Sequence, residues 1–365
     1  MIRPNKAVLK LKKYVPALQD FAFFPNNGDY LKLDSNEATI KPSPLVFQRI
    51  QEFLASGHLN WYPDIKAKEL RHKLTDYTGR NFDEIQVFNG SDSALDYICR
   101  TFLEKDDRVL VASPTYDKFR IFVESTGSNI EFVYSGNPFV HSIQNLIERI
   151  TNKTKLVYIC NPNNPTGMEY SENDVRRLLE KCKHGILVVD EAYYEFSKIT
   201  MSGLIDEFSN IIVTRSFSKA FGLAALRCGY ILSDAQIVNL INKIRDEKNV
   251  NAVAQIAAVA SLDDLIYTEN YVKEVNLAKK WLFRELNVLG YKVIITSANY
   301  ILVKVEDPDI FINELRKDKI LVRDRSYFSQ LENYVRITVG SRIQCEKLIK
   351  SIKNNGRISR NAIQS

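Results

Sequence analysis

The chain has 365 residues, 45% of them hydrophobic and 26% charged, with 50 Lys and Arg against 44 Asp and Glu. That length suits two domains with real cores, and a net charge of +6 spread without a basic block argues against a nucleic-acid partner. No apolar run approaches the ~20 residues of a membrane span, and the first residues lack the apolar centre of a signal peptide.

Residues 1–34, which carry prolines and aromatics, read as an N-terminal arm. From about residue 45 to 250 short apolar runs alternate with helical patterns. Strands are expected at Gln86–Asn89, Arg108–Ala112, Ile130–Tyr134, Lys155–Cys160, Ile186–Asp190, Ile211–Thr214 and Gly229–Leu232. With apolar helical faces between them, residues 35–260 predict a large α/β domain whose sheet is covered by helices on both faces. Helices after Gly90-Ser91-Asp92 and after Pro114-Thr115-Tyr116 start at strand ends, where free N–H groups suit a phosphate. A long Lys- and Glu-rich helix, Ser261–Leu289, leads to strands Tyr291–Ile295, Tyr300–Val305, Ile320–Arg323 and Val335–Val339. These alternate with helices Asp309–Lys317 and Gln344–Asn354, so residues 261–365 read as a smaller α+β domain with a frayed polar tail after Asn354. Five cysteines without C-x-x-C spacing point to free thiols in a reducing cytoplasm. The four histidines lack metal-ligand spacing, so no metal is expected.

Three motifs carry chemistry. Cys160-Asn161-Pro162-Asn163-Asn164-Pro165-Thr166-Gly167 follows a strand and makes a rigid turn from which an asparagine can donate to a ring oxygen. Asp190-Glu191-Ala192-Tyr193 ends a buried apolar strand, and the carboxyl end of a parallel strand is where open α/β sheets bind ligands. A carboxylate there can keep a pyridine nitrogen protonated. Thr214 to Tyr230 holds Ser216, Ser218, Lys219 and Arg227: a lysine beside two hydroxyls and an arginine that can cradle a phosphate. That is the setting a lysine needs to bond an aldehyde cofactor anchored by its phosphate. Singly, each motif also describes something plainer: a turn, a helix cap, a solvated lysine.

In this order, N-P-x-N-P-T-G, D-E-A-Y and S-x-S-K with L-R-x-G resemble the fold-type I pyridoxal-phosphate aminotransferases, and the wording is closest to the histidinol-phosphate aminotransferase branch. Leu33-Asp34-Ser35-Asn36-Glu37, Trp61-Tyr62-Pro63-Asp64, Gly90-Ser91-Asp92, Ser113-Pro114-Thr115-Tyr116, Ile320–Asp324 and Val335–Gly340 resemble further motifs of that branch, so the likeness spans roughly residues 10 to 350. It implies an aspartate-aminotransferase-like fold with a mostly parallel seven-stranded sheet, pyridoxal 5′-phosphate as cofactor, and a homodimer. By the same resemblance Lys219 bonds the cofactor and moves the proton, and Asp190 pairs with the ring nitrogen. Asn164 and Tyr193 hold the ring oxygen, while Tyr116 stacks on the ring. Ser91, Asp92 through its backbone N–H, Ser216, Ser218 and Arg227 hold the phosphate, and Tyr62 reaches it from the partner subunit. Arg336 and Arg323 would bind substrate anions, Asn164 would touch the substrate, and Tyr14 would close over it. The implied reaction moves an amino group between glutamate or 2-oxoglutarate and a small phosphorylated amine or ketone such as histidinol phosphate. Asn36-Glu37-Ala38-Thr39-Ile40-Lys41, the phenylalanines at 21, 23 and 24, and Ser93 differ from the branch. These differences lie near the pocket mouth and leave open another phosphorylated substrate, as in sugar or capsule decoration. A decarboxylase of a phosphorylated amino acid would use the same scaffold and lysine.

Overall fold

The structure is a computed structural model that describes residues 4–12, 30–140 and 143–359. Its centre is a seven-stranded sheet of β2 (Ile85–Phe88), β3 (Arg108–Ser113), β4 (Asn129–Tyr134), β5 (Thr154–Cys160), β6 (Ile186–Asp190), β7 (Ile211–Ser216) and β8 (Gly229–Ser233), in the order β2-β8-β7-β6-β5-β3-β4. Pairings among β3 to β7 are parallel, and the two pairings of β8, with β7 and with β2, are antiparallel. Every residue of β6 and β7 is buried, as expected of central strands covered on both faces. Alternation then divides them: Leu187, Val189, Ile211 and Val213 join one core, whereas Ile186, Val188 and Ile212 join the other. All seven expected strands are present, most of them a residue or two longer than the apolar runs.

A second, antiparallel sheet has the order β12-β13-β10-β9, built from β9 (Lys292–Ile295), β10 (Tyr300–Lys304), β12 (Arg323–Asp324) and β13 (Tyr334–Thr338). Its inward residues Val293, Ile301, Val303, Val335 and Ile337 form a separate core with the helix Leu265–Val288.

Four expectations need correction. The single strand Ile320–Arg323 is two: β11 (Ile320–Leu321) pairs parallel with β1 (Leu31–Lys32), and after buried Val322 the chain crosses to the small sheet as β12. The end of the arm is therefore built into the fold, because Leu31 and Leu33 are buried in the second core. The long helix is interrupted at Asp264, whose carboxylate accepts from Ser43, the N-cap of helix Pro44–Ala55. An apolar, alanine-rich helix Ala252–Asp263 thus packs in the first core, and the charged one serves the second. The tail is anchored as far as Ile358, which is 2% exposed and whose carbonyl accepts from the Tyr291 hydroxyl. All five cysteines are buried and unpaired. Among the described residues no helix is long and apolar enough to cross a membrane.

Candidate active site

The carboxyl ends of β5, β6 and β7 open into a cavity of about 320 Å³ lined by Ser91, Asp92, Tyr116, Asn164, Asp190, Tyr193, Ser216, Ser218, Lys219 and Arg227. Motifs more than a hundred residues apart in the chain converge there because parallel strands deliver their loops to one edge of the sheet.

One wall has the make-up of an anion cradle. The helix Gly90–Phe102 has no side-chain cap, so its first N–H groups are left for a ligand. Ser216 Oγ accepts from the Ser218 N–H at 3.0 Å, which curls the backbone around the site. Arg227, at φ +56°, donates to Ser218 Oγ and to the Ala224 carbonyl and leans towards Asp92. Two glycines keep the cradle open. A Cβ on Gly90, itself at φ +80°, would meet Arg227 Nη2 at 2.5 Å, and one on Gly229 would meet the Ser91 nitrogen at the same distance. The Asp92 carboxylate in this wall accepts from the Tyr116 hydroxyl and from Lys118 Nζ, both at 2.7 Å. Those bonds, against the opposing effect of burial, hold its pKa below the usual range. Lys118 was not among the expected site residues, since a lysine in a loop carries no motif of its own.

At the floor, Asp190 is 3% exposed; its Oδ2 accepts from the Tyr158 hydroxyl at 2.9 Å and its Oδ1 from the Ala192 N–H at 3.2 Å. Burial raises its pKa to about 6, a carboxylate short of a cationic partner. The next residue, Glu191, turns the other way to the buried Arg215, at 2.9 Å. Glu195 nearby is pushed up to about 7 by burial. That buried network fastens the Asp190 loop, and neither Tyr158 nor Arg215 was legible as a site support.

Lys219 Nζ donates to the Ser35 carbonyl at 3.0 Å and lies 5.9 Å from the centre of the Tyr193 ring. Burial, then the Arg336 charge, lower its pKa to about 8. The Tyr193 hydroxyl accepts from Asn36 Nδ2 at 2.9 Å, and burial pushes its own pKa to about 12. Arg336 donates to Asn164 Oδ1 at 2.7 Å and to the Asp34 carbonyl at 2.6 Å, which leaves the Asn164 amide nitrogen for a ligand. The Leu33–Glu37 segment is therefore a latch that holds the lysine, the tyrosine and the arginine with backbone and amide groups. Asn36 itself sits at φ +55°, tied to Thr338 and Asn299.

Arg323 lies across from Arg336 on the small sheet, as Cα partners of β12 and β13. Tyr62 is outside the cavity: it is 78% exposed, beside exposed Leu59 and Trp61. Tyr14 and the three phenylalanines of the arm fall outside the described residues.

Residues 28–352 match the family described as aminotransferase class I and II. The chain is 38% identical to the dihydroxyacetone phosphate transaminase of Campylobacter jejuni, over 96% of this chain and 97% of that one. It is 37% identical to a histidinol-phosphate aminotransferase of Caldanaerobacter subterraneus, over 88% and 92%. The histidinol-phosphate aminotransferase structure from Sinorhizobium meliloti, solved with pyridoxal-5′-phosphate, shares the fold at a TM-score of 0.81 and 22% identity, covering 94% of this chain and 97% of that one.

Proposed function

The chain belongs to the class I and II aminotransferases and is a pyridoxal 5′-phosphate enzyme, and we propose that it moves an amino group between glutamate and a small phosphorylated ketone. The single observation that carries the substrate reading is that both named relatives act on phosphate monoesters, dihydroxyacetone phosphate and histidinol phosphate, at 38% and 37% identity.

The cavity suits the cofactor. The glycine-opened cradle matches a phosphate, and the buried Asp190, short of a cation, matches a protonated ring nitrogen. When bound, the cofactor supplies an aldehyde for the amino group and a ring that withdraws electrons. Ser91, Ser216, Ser218 and Arg227, with the backbone N–H of Asp92, would hold the phosphate. Asp190 would keep the ring nitrogen charged, and the Tyr193 hydroxyl with the Asn164 amide would hold the ring oxygen. Tyr116, at the cavity edge, would cover the ring face. Lys219 would hold the group covalently and, as a free amine, take a proton from the substrate carbon at Nζ. Arg336, fixed by Asn164 and Asp34, would clamp the glutamate carboxylate.

An amine with a pKa of about 8 is mostly neutral just above that pH, whereas an ordinary lysine is neutral only near 10.4. The rate at which apoenzyme captures pyridoxal phosphate covalently, followed by its visible absorbance, should therefore rise with pH up to about 8 and level off. A rate still climbing above pH 10 would show an unperturbed lysine.

We also propose a homodimer and a cytoplasmic location. Exposed Leu54, Leu59, Trp61 and Tyr62 would be covered by a second copy, so that Tyr62 reaches its partner's phosphate; five buried free thiols suit a reducing compartment. Residues 35–260 and 261–365 are proposed as the two domains, in keeping with the break at Asp264. Mixing Lys219→Ala with Tyr62→Phe protomers should yield dimers more active than either parent, because the first lends an intact Tyr62 to the site that holds Lys219. Mixed dimers no better than the parents would mean that one chain builds each site.

Arg336→Lys keeps charge but loses the two-pronged fork, and should raise KM for glutamate and its partner by about tenfold or more. Arg323→Lys should act chiefly on the phosphorylated partner; an equal effect on both would argue against a phosphate beside it. The function itself is tested by turnover with dihydroxyacetone phosphate, histidinol phosphate and their dephosphorylated counterparts. At least one phosphorylated compound should exceed its counterpart in kcat/KM by about a hundredfold, the effect of roughly two charge-assisted hydrogen bonds. Parity for every pair would overturn the reading.

A further inference from the structure

Strand periodicity places a second arginine beside Arg336 that no motif singled out. Arg323 and Arg336 are cross-strand partners, and two residues along the same strand edge the Arg325 N–H bonds the Tyr334 carbonyl. Residues two apart share a face of a sheet, so Arg323, Arg325 and Arg336 lie on one side. Val335 and Ile337 take the other side, in the small-sheet core. Leu302, paired with Arg336, and Tyr300, two residues before it, share the arginine side, and the Tyr300 hydroxyl donates to the Asn163 carbonyl in the turn that carries Asn164. The arginine side therefore faces the active-site loops.

Both Arg325 and Arg336 are nearly closed off from water, at 7% and 3% exposed. Each has a buried Nε with no hydrogen-bond partner. Their named partners are neutral: Asn164 and the Asp34 carbonyl for Arg336, the Tyr327 hydroxyl for Arg325. Among the described residues no ion pair of Arg325 with a carboxylate is present, and Tyr327 in turn donates to Asp117 at 3.4 Å. Burial and then the Arg325 charge lower the pKa of Arg336 to about 9, with Arg323 adding to the effect and the Tyr193 and Tyr300 hydroxyls opposing it. Two buried guanidiniums of like charge cost free energy unless an anion lies between them. A carboxylate, with one charge, neutralises one of them; a phosphate monoester carries close to two.

We propose that Arg325 is a specificity-determining residue, forming with Arg336 an anion subsite that takes the phosphate of the second substrate. This rests on the phosphorylated-substrate reading given above and names the residue that enforces it. Preference for phosphate over carboxylate then follows from charge count, and Tyr327 holds the Arg325 fork in place while the site is empty.

The test uses holoenzyme saturated with pyridoxal phosphate, so that the cofactor cradle is filled, and inorganic phosphate as the probe in calorimetry. Arg325→Gln should weaken phosphate binding about tenfold to a hundredfold, and Arg325→Lys, which restores charge without the fork, should recover part of it. In turnover, the ratio of kcat/KM for the phosphorylated partner to that for glutamate should fall by a similar factor. If Arg325→Gln fails to fold, the Arg325→Lys loss relative to wild type decides the question. Phosphate affinity within twofold of wild type in the variants, together with loss in Arg336→Lys, would overturn the role of Arg325 and leave the phosphorylated substrate standing. No phosphate binding by wild type and no preference for phosphorylated partners would remove both.

Discussion

Lys219→Ala should eliminate steady-state transamination while the protein still folds and still binds pyridoxal phosphate reversibly. The lysine is half-buried, its amine held by one neutral carbonyl, Ser35 O, at 3.0 Å, and its pKa lies near 8, so the folded state gives up little when the side chain is shortened. Function loses both the covalent anchor and the base. General acid–base catalysis alone contributes roughly 10²–10⁴ in rate, so a loss on the order of 10³ or more is expected. Among the described residues of the cavity no other amine replaces it, since Lys118, the nearest lysine in the wall, is committed to Asp92. Cofactor should remain through the cradle but be removed by dialysis. Turnover above a few per cent of wild type would mean that the chemistry lies elsewhere.

Asp190→Asn should lower kcat by about 10²–10³, or roughly 2–4 kcal/mol in the barrier. The substitution keeps size but removes the Asp190 charge at the cavity floor. It also replaces an oxygen that accepts from Tyr158 or Ala192 with a donor. Tyr158→Phe separates these effects, because it removes one hydrogen bond and leaves the carboxylate; about tenfold is expected from it. Equal losses in the two variants would show that Asp190 matters for its hydrogen bonds and not for its charge.

Both predictions concern residues that were visible in the sequence, and the reason is local. Apolar runs such as Ile186–Asp190 declare a buried strand, and parallel strands carry function at their carboxyl ends, so Asp190, Asn164 and Lys219 could be placed without tertiary information. What escaped were groups whose roles arise from contacts distant in sequence. Asn36 belongs to a segment whose likeness to the branch was visible, yet its role was not: it holds Tyr193 from 157 positions away. Arg215 lies inside an apolar strand as an apparent misfit, and only the fold brings Glu191 and Glu195 to it. Arg325 follows a recognisable Arg-Asp pair, and its significance depends on a two-residue strand, β12, too short for any periodicity. The same brevity concealed β1 and merged β11 with β12. The helix break at Asp264 coincides with a hydrogen bond that its carboxylate accepts from Ser43, a contact that local pattern does not contain.

The most direct measurement is to mix holoenzyme with glutamate alone and follow cofactor absorbance, 2-oxoglutarate and carbon dioxide together. An aminotransferase releases close to one 2-oxoglutarate per active site, shifts the cofactor to its amine form and stops, with no carbon dioxide. Carbon dioxide released with the cofactor spectrum restored, or no change at all with glutamate, would contradict the account.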